Sequence, residues 1–484
     1  MTPKCTWRRL GLLENIYNES IAIAGADAED EHEQYFTPPE ISSLMASMFD
    51  FSGKKIIRIL DAGSGTGILG YCAAMRAFES GVSKIHLVCI ETEKISLKLL
   101  KVNLKDLEKM NSNFSFEILE TDFLTVSNVG NFDFIISNPP YSKISPKIER
   151  GGTSPNLYSR FMEVSINLLS KNGQMIYIIP RSFTNGVYFK KFRQKIFTDL
   201  STTKIHLFNS RKNIFEQQVL QEIMIICLEK NTNSTEVLVT SSLGRKDLYD
   251  LHPLKISRDI IQSGGKNDYR FVIPTTESNI ETLNQFKAWK GRFKDHGIEI
   301  STGPVVAYRS RKFLSNSEEK ENTYPMVWPT HVSLSSIEWP KNKCKKEQYI
   351  DHTATDRIIP NQNYVIMKRF TTKEEAKRLV TCPLKKGELP GKFIGIENHL
   401  NYIHGGEKEI PFSLCKGISY LLNSSLFDNY IRIVNGQTQV NATDIVNLPI
   451  PDIEIIKQLG KCKSKNNDYS KSLQRLITKA RQKN

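Results

Sequence analysis

Asn138-Pro139-Pro140-Tyr141 is the stretch of this chain whose residue types and spacing most directly suggest chemistry. Each proline restricts its own φ and the residue before it, so the backbone here is extended and stiff. On such a backbone the Asn138 amide carbonyl and the Pro139 backbone carbonyl can converge on one spot beside the Tyr141 ring. Two fixed acceptors and an aromatic face suit a planar substrate that carries an NH2 group. Taken alone, the tetrapeptide also reads as a plain surface turn.

Three more stretches add to it. In Asp61-Ala62-Gly63-Ser64-Gly65-Thr66-Gly67 the glycines let backbone approach a ligand closely. The pattern Asp-x-Gly-x-Gly-x-Gly differs from the dinucleotide fingerprint G-x-G-x-x-G. An acid before the first glycine would repel a pyrophosphate but suits an amino group. A nucleotide without phosphates and with a cationic amino-acid end therefore fits better than a dinucleotide. Glu91 stands where an acid accepts from both hydroxyls of a ribose. Asp122 can accept from an adenine amino group while Phe123 packs on the ring.

The elements that position these residues follow from periodicity. The apolar run 132–136 stops at Pro-Pro, and neither proline can donate to a ladder, so it reads as a buried parallel strand leaving its sheet. Strands are likewise expected at 55–60, 85–90, 116–120 and 174–180, with helices over 68–78 and 92–110. The first four strands each carry a polar group at the carboxyl end, where open α/β sheets bind ligands. Upstream, Phe36-Thr37-Pro38-Pro39-Glu40 precedes apolar positions 41, 44, 45 and 48. Thr37 is expected to cap a helix with Pro38 as its first residue and Glu40 as the capping-box partner. That role leaves Phe36 and Thr37 available to line a pocket.

At 484 residues, with 39% hydrophobic and 24% charged, the chain suits a soluble globular protein of two or three domains. Residues 1–230 hold 27 Lys+Arg against 25 Asp+Glu, whereas residues 231–484 hold 39 against 27. The basic excess lies in the C-terminal half, which favours a polyanionic partner there. Eight scattered cysteines without a C-x-x-C pair or a histidine at ligand spacing imply a reduced intracellular protein without a metal site. Residues 1–13 lack the apolar core of a signal peptide, and no run reaches the roughly 18 apolar residues of a membrane helix, so a cytoplasmic protein without a membrane partner is expected.

The polar break 231–235 marks a domain boundary. The expected division is a catalytic domain over 1–235, a mixed α+β recognition domain over 236–455 and a basic tail over 456–484. Within 236–455, basic residues alternate with aromatics in Tyr308-Arg309-Ser310-Arg311-Lys312-Phe313 and Lys368-Arg369-Phe370. Such interleaving suits phosphate contact combined with base-edge reading, although a charge run by itself is usually a solvated face.

Together, Thr37-Pro38-Pro39-Glu40, Asp61-x-Gly63-x-Gly65-x-Gly67, Glu91, Asp122-Phe123 and Asn138-Pro139-Pro140-Tyr141 resemble the motifs of gamma-class, TaqI- and Eco57I-like DNA adenine-N6 methyltransferases. Lys368-Arg369-Phe370, Glu397-Asn398-His399-Leu400-Asn401-Tyr402 and Gly436-Gln437-Thr438-Gln439-Val440-Asn441 resemble the recognition domain of the PstI and BsuBI group. The resemblance implies a Rossmann-like α/β domain that uses S-adenosylmethionine, followed by a target-recognition domain. It implies methylation at N6 of an adenine turned out of double-stranded DNA, as the modification component of a restriction-modification system in the bacterial cytoplasm. A monomer is expected, with any cognate endonuclease acting separately.

By the same resemblance, Phe36, Thr37, Asp61, Gly63, Gly65, Glu91, Asp122, Phe123 and Asn138 surround the cofactor. Asn138, Pro139, Tyr141 and Phe189 serve the chemistry, with Tyr141 supplying one face for the turned-out base and Phe189, placed by its distance from Pro180, the second, Tyr188 and Phe183 being its competitors. Arg309, Arg311, Lys368, Arg369, Gln437, Gln439 and Asn441 are candidates for DNA contact, the amides equally suited to packing their own domain. No Pro-Cys dipeptide of the cytosine-C5 type occurs. A protein-glutamine methyltransferase, whose substrate offers the same planar NH2, and a non-catalytic DNA-binding protein are the alternatives.

Overall fold

The computed structural model describes residues 10–26, 36–144, 156–210, 214–215, 221–264, 269–316, 322–371, 375–436, 439–463 and 469–482. The chain divides into two compact units, Met1–Thr275 and Thr276–Asn484.

The first unit is built on a nine-stranded sheet whose core is the expected parallel series. The strands are β1 (Ile56–Ala62), β2 (Lys84–Glu91), β3 (Phe114–Glu120), β4 (Phe132–Ser137) and β5 (Leu169–Pro180), then β6 (Ser201–Phe208), β7 (Ile223–Glu229), β8 (Glu236–Ser242) and β9 (Leu254–Ser257). Their spatial order is β3-β2-β1-β4-β5-β7-β6-β8-β9. From β1 the chain proceeds outward through β2 and β3, then returns to place β4 on the other side, so the topological switch lies between β1 and β4. In register, Asp61 lies beside Cys89 on β2 and Ile136 on β4, while Glu91 pairs with Glu120 and Ser137 with Tyr177. The carboxyl ends of four strands are thereby aligned along one edge.

Burial explains the strand sequences. Ile59, Leu60, Leu87, Cys89, Ile135, Ile136, Ile176 and Ile178 are fully covered, as expected of parallel strands packed on both faces. The helices α1 (Leu10–Ala26), α2 (Pro39–Ser47), α3 (Ile68–Glu79), α4 (Lys94–Met110), α5 (Leu157–Leu168) and α6 (Lys190–Asp199) accompany this sheet. Among the described residues, no helix is long and apolar enough to cross a membrane.

Three expectations change. The polar stretch 231–235 is a connection between β7 and β8, because β8 pairs in parallel with β6 and β9 antiparallel with β8. The first unit therefore runs some forty residues past the expected boundary at 235, to Thr275. Secondly, Thr37 does not cap α2. Pro38 occupies the cap position, no side chain caps the helix, and the Ser42 hydroxyl donates back to the Pro38 carbonyl at 3.0 Å. Thirdly, residues 456–484 are not a separate tail: helices Ile453–Leu459 and Ser470–Arg481 belong to the second unit, where Tyr469 stacks on Tyr420 at 3.6 Å and Leu473 and Ile477 are buried.

The second unit is mixed α+β, as expected. A four-stranded antiparallel sheet orders Glu299–Thr302, Leu400–His404, Tyr364–Lys368 and Thr381–Leu384. A five-stranded mixed sheet includes Thr323–Val327 and Phe393–Ile396. Helix Phe412–Leu422 crosses Ile453–Leu459 so closely that a Cβ on Gly417 would fall 2.0 Å from the Ile456 carbonyl oxygen. Gly417→Ala must push two backbones apart, and overpacking of this kind costs about 1–3 kcal/mol. We expect a fall of roughly 3–10 °C in the thermal midpoint by circular dichroism.

Candidate active site

At the aligned strand ends lies a pocket of ≈480 Å³ lined by Phe36, Gly63, Gly65, Glu91, Asp122, Phe123 and Asn138, together with Ile90, Pro139, Pro140, Leu157 and Phe161. Its floor is the turn from β1 into α3. Gly63 and Gly65 there adopt φ of 69° and 55°, the left-handed region that favours glycine. A Cβ on Gly63 would also lie 3.2 Å from the Phe161 ring. That ring meets Phe123 with centroids 4.9 Å apart, and the two form an aromatic wall.

Glu91 sits at the tip of β2. Its Oε2 accepts from the Gly65 N–H at 2.6 Å and its Oε1 from the Thr92 and Glu93 N–H groups at 2.7 and 2.8 Å. A carboxylate accepts about four hydrogen bonds, and three are made by backbone. A ribose would bring one hydroxyl to the remaining acceptor position or displace the Gly65 contact, which revises the bidentate grip expected from sequence. Asp122 Oδ1 accepts from the Leu124 N–H at 2.9 Å and so starts the short turn that presents Phe123.

Asp61 is fully buried and, like Thr37, is not among the residues that line the pocket, in contrast to the other expected cofactor residues. Its Oδ2 accepts from the Gly70 N–H at 2.8 Å in the first turn of α3, whereas its Oδ1 has no partner among the described residues. Burial pushes this carboxyl up to about 8; the Gly70 bond opposes the rise and the Glu91 charge adds to it. An orphaned acceptor of this kind is costly unless a donor comes to it. The cationic amino-acid end of S-adenosylmethionine is such a donor, and the glycine floor and aromatic wall suit its nucleoside end. The residues present fit the group.

The Asn138 side chain is held from two directions. Its Nδ2 donates to Thr37 Oγ1 at 3.0 Å, and Tyr141 OH lies 3.0 Å from Asn138 Oδ1 and 3.2 Å from the Ile178 carbonyl oxygen of β5. Three segments far apart in sequence thus fix the plane of one amide. Thr37 exchanges the capping role for this one. Tyr141 is buried and does not line the pocket, so its ring does not offer the aromatic face expected of it; its hydroxyl meets Asn138 instead.

Phe189 does not line the pocket. Its ring is 6% exposed and packs on Tyr158 at 5.9 Å, with Tyr188 edge-on at 5.1 Å. Tyr188 is 55% exposed, and Phe183 is buried among Phe192, Phe271 and Tyr158. In the second unit Arg309 and Arg311 are exposed, the former with its Nε 2.8 Å from the Tyr308 hydroxyl. Lys368 is half-buried. Arg369 turns inward to Asn441 Oδ1 at 3.0 Å and to the Asn398 carbonyl at 3.2 Å, so these two candidates serve packing. Gln439 bridges Phe370 through its backbone, and Gln437 lies outside the described residues. Leu157 and Phe161 of α5 were not anticipated; nothing local in their sequence marks them as pocket residues.

The family described as Eco57I restriction-modification methylase matches residues 70–215. The type II methyltransferase M.PstI of Providencia stuartii is 33% identical over 491 residues, spanning 95% of each chain. M.BsuBI of Bacillus subtilis is 33% identical over 460 residues, spanning 90% of each. The type IIL restriction-modification enzyme MmeI, solved in complex with DNA, shares the fold with a TM-score of 0.52 at 13% identity, covering 93% of this chain and 69% of its own. With its motifs on the ends of this sheet and nine-tenths or more of its length matched by such relatives, the chain belongs to the Eco57I-like restriction-modification methylases and is an S-adenosylmethionine-dependent DNA methyltransferase.

Proposed function

We propose that the chain methylates N6 of an adenine extruded from double-stranded DNA, acting at specific sites as the modification partner of a separate endonuclease. The observation that carries this reading is the Asn138 amide, fixed between Thr37 and Tyr141 at the edge of the pocket. The lone pair of an exocyclic amine is delocalised into its ring, which makes the nitrogen a poor nucleophile. Acceptance of its two N–H bonds by Asn138 Oδ1 and the Pro139 carbonyl favours a more tetrahedral nitrogen and frees that lone pair. Both acceptors also stabilise the positive charge that develops on nitrogen, and because they are preorganised they need not reorient during reaction. Bound S-adenosylmethionine supplies an electrophilic methyl group. Asp61 Oδ1 would hold its ammonium, Glu91 its ribose, and Phe123 with Asp122 its adenine.

The target nitrogen lies inside the duplex, so the base must be turned out and held by stacking. Phe189 is assigned the stacking face, which requires its ring to turn from Tyr158 toward the pocket as the base enters, with the exposed Tyr188 beside it. The basic second unit supplies phosphate contacts, Arg309 and Arg311 among them.

Digestion of DNA after transfer of a labelled methyl group tests the product: N6-methyladenine supports the reading, and N4-methylcytosine or methylated protein refutes it. Asn138→Ala should abolish transfer while leaving cofactor affinity within severalfold. Tyr141→Phe, which keeps the ring but frees the amide, should retain partial turnover. Phe189→Ala should slow transfer roughly 10- to 100-fold, the worth of one stacked base, and Tyr188→Ala should do less.

Asp61 adds a pH dependence. Its folded value of about 8 exceeds the ordinary 3.8, so the stability it contributes is fully present below about 4 and is lost as pH rises toward 8. An ammonium on Oδ1 favours the ionised form. Cofactor binding at pH 7 should therefore release most of a proton, measured by calorimetry in two buffers of different protonation heat. Asp61→Asn should remove that release.

A further inference from the structure

The recognition unit contains a carboxylate–imidazole pair to which no role has been given above. Glu397 is 2% exposed, yet its Oε2 accepts from the His399 N–H at 2.7 Å and its Oε1 from His399 Nδ1 at 2.5 Å. The His399 side chain is 50% exposed and lies against Phe370, with ring centroids 4.6 Å apart. Phe370 is itself 39% exposed. Among the described residues nothing engages His399 Nε2.

This pair sits on a rigid turn. The turn carries the chain from strand Phe393–Ile396 of the five-stranded sheet to strand Leu400–His404 of the four-stranded one. Asn398 N–H donates to the Val305 carbonyl at 2.9 Å, and the His399 carbonyl accepts from the Arg369 N–H at 3.0 Å. A Cβ on Gly303 would lie 2.3 Å from the Glu397 carbonyl oxygen, so the opposing backbone closes on the turn. A neutral side chain would suffice to accept the His399 N–H. Burying a carboxylate is costly unless it is paired, and the second oxygen here is directed at the imidazole.

That contact fixes the tautomer. A carboxylate only accepts, so Nδ1 carries a proton; with Nε2 unprotonated, the ring presents that nitrogen as a lone-pair acceptor at its exposed edge. In the major groove the exposed donors are the N4 amine of cytosine and the N6 amine of adenine. Lys368 and Arg369 precede Phe370 along the chain, and the Arg369 guanidinium carbon lies 5.7 Å from the centroid of the Phe370 ring. We propose that His399 is a specificity-determining residue that reads one base pair by accepting from a cytosine or adenine amine, with Glu397 as its positioning residue. The proposal rests on the DNA-methylating function above and extends it to the choice of site.

Single-molecule sequencing of DNA from cells expressing the full chain tests it. The wild type should mark one sequence context. His399→Ala should mark contexts degenerate at a single base pair, discrimination there falling about tenfold, with the other positions kept. Glu397→Gln should relax the same position, because an amide can donate to Nδ1 as well as accept from it. A context unchanged in His399→Ala, or methylation that falls equally at every site as for a phosphate or packing contact, overturns the proposal. Thermal unfolding of each purified variant checks the fold, and His399→Asn carries the comparison if the alanine variant does not fold. A wild type that marks no base overturns the underlying reading, and with it this one, before any variant is compared.

Discussion

The orientation of one side-chain amide governs the catalytic unit. For the function proposed above, Asn138 must turn its oxygen, and not its nitrogen, to the substrate amine, and the two atoms differ little in size. Orientation must therefore come from hydrogen-bond polarity: Thr37 Oγ1 receives Nδ2, and the Tyr141 hydroxyl approaches Oδ1. The hydroxyl is in turn anchored near the Ile178 carbonyl of β5. Loss of any member lets the amide rotate, which in the proposed reaction would put a donor where the amine needs an acceptor.

The sheet makes this arrangement possible. β4 lies between β1 and β5, so a residue just beyond its end stands between the glycine turn on one side and the Ile178 strand on the other. The same alignment brings Asp61 and Glu91 near the pocket in different states. Glu91 has three backbone donors, whereas Asp61 is enclosed with one donor and an unmatched oxygen. Two acids at neighbouring strand ends thus acquire different electrostatic characters from their surroundings alone, one satisfied and one with an oxygen unmatched among the described residues.

The second unit shows a similar division between surface and scaffold. Arg309 and Arg311 remain in solvent, but Arg369 and Asn441 form a pair with each other inside the unit. In sequence these basic and amide residues look equivalent. What separates them is where the partner lies: the Arg369 guanidinium is half-buried between an amide oxygen and a backbone carbonyl, whereas Arg309 meets the neighbouring Tyr308 hydroxyl and stays exposed.

Much of the catalytic unit was legible in the linear chain. Period, β-branched runs and proline stops located β1, β2, β3, β4 and β5 within a few residues, because strand burial is written in consecutive side chains. The glycine turn, Glu91, Asp122-Phe123 and Asn138-Pro139-Pro140-Tyr141 were recognisable because their chemistry depends on local spacing. Tertiary structure alone decided what depends on distant partners. It moved Thr37 from a helix cap to the Asn138 amide, a hundred residues away, and placed Phe161 beside Gly63. It buried Phe189 against Tyr158, continued the sheet through β8 and β9 past a polar break, and folded the C-terminal helices onto Tyr420. Local sequence specifies backbone tendency and side-chain chemistry, but hydrogen bonds and packing across the sheet select which of those chemistries is expressed.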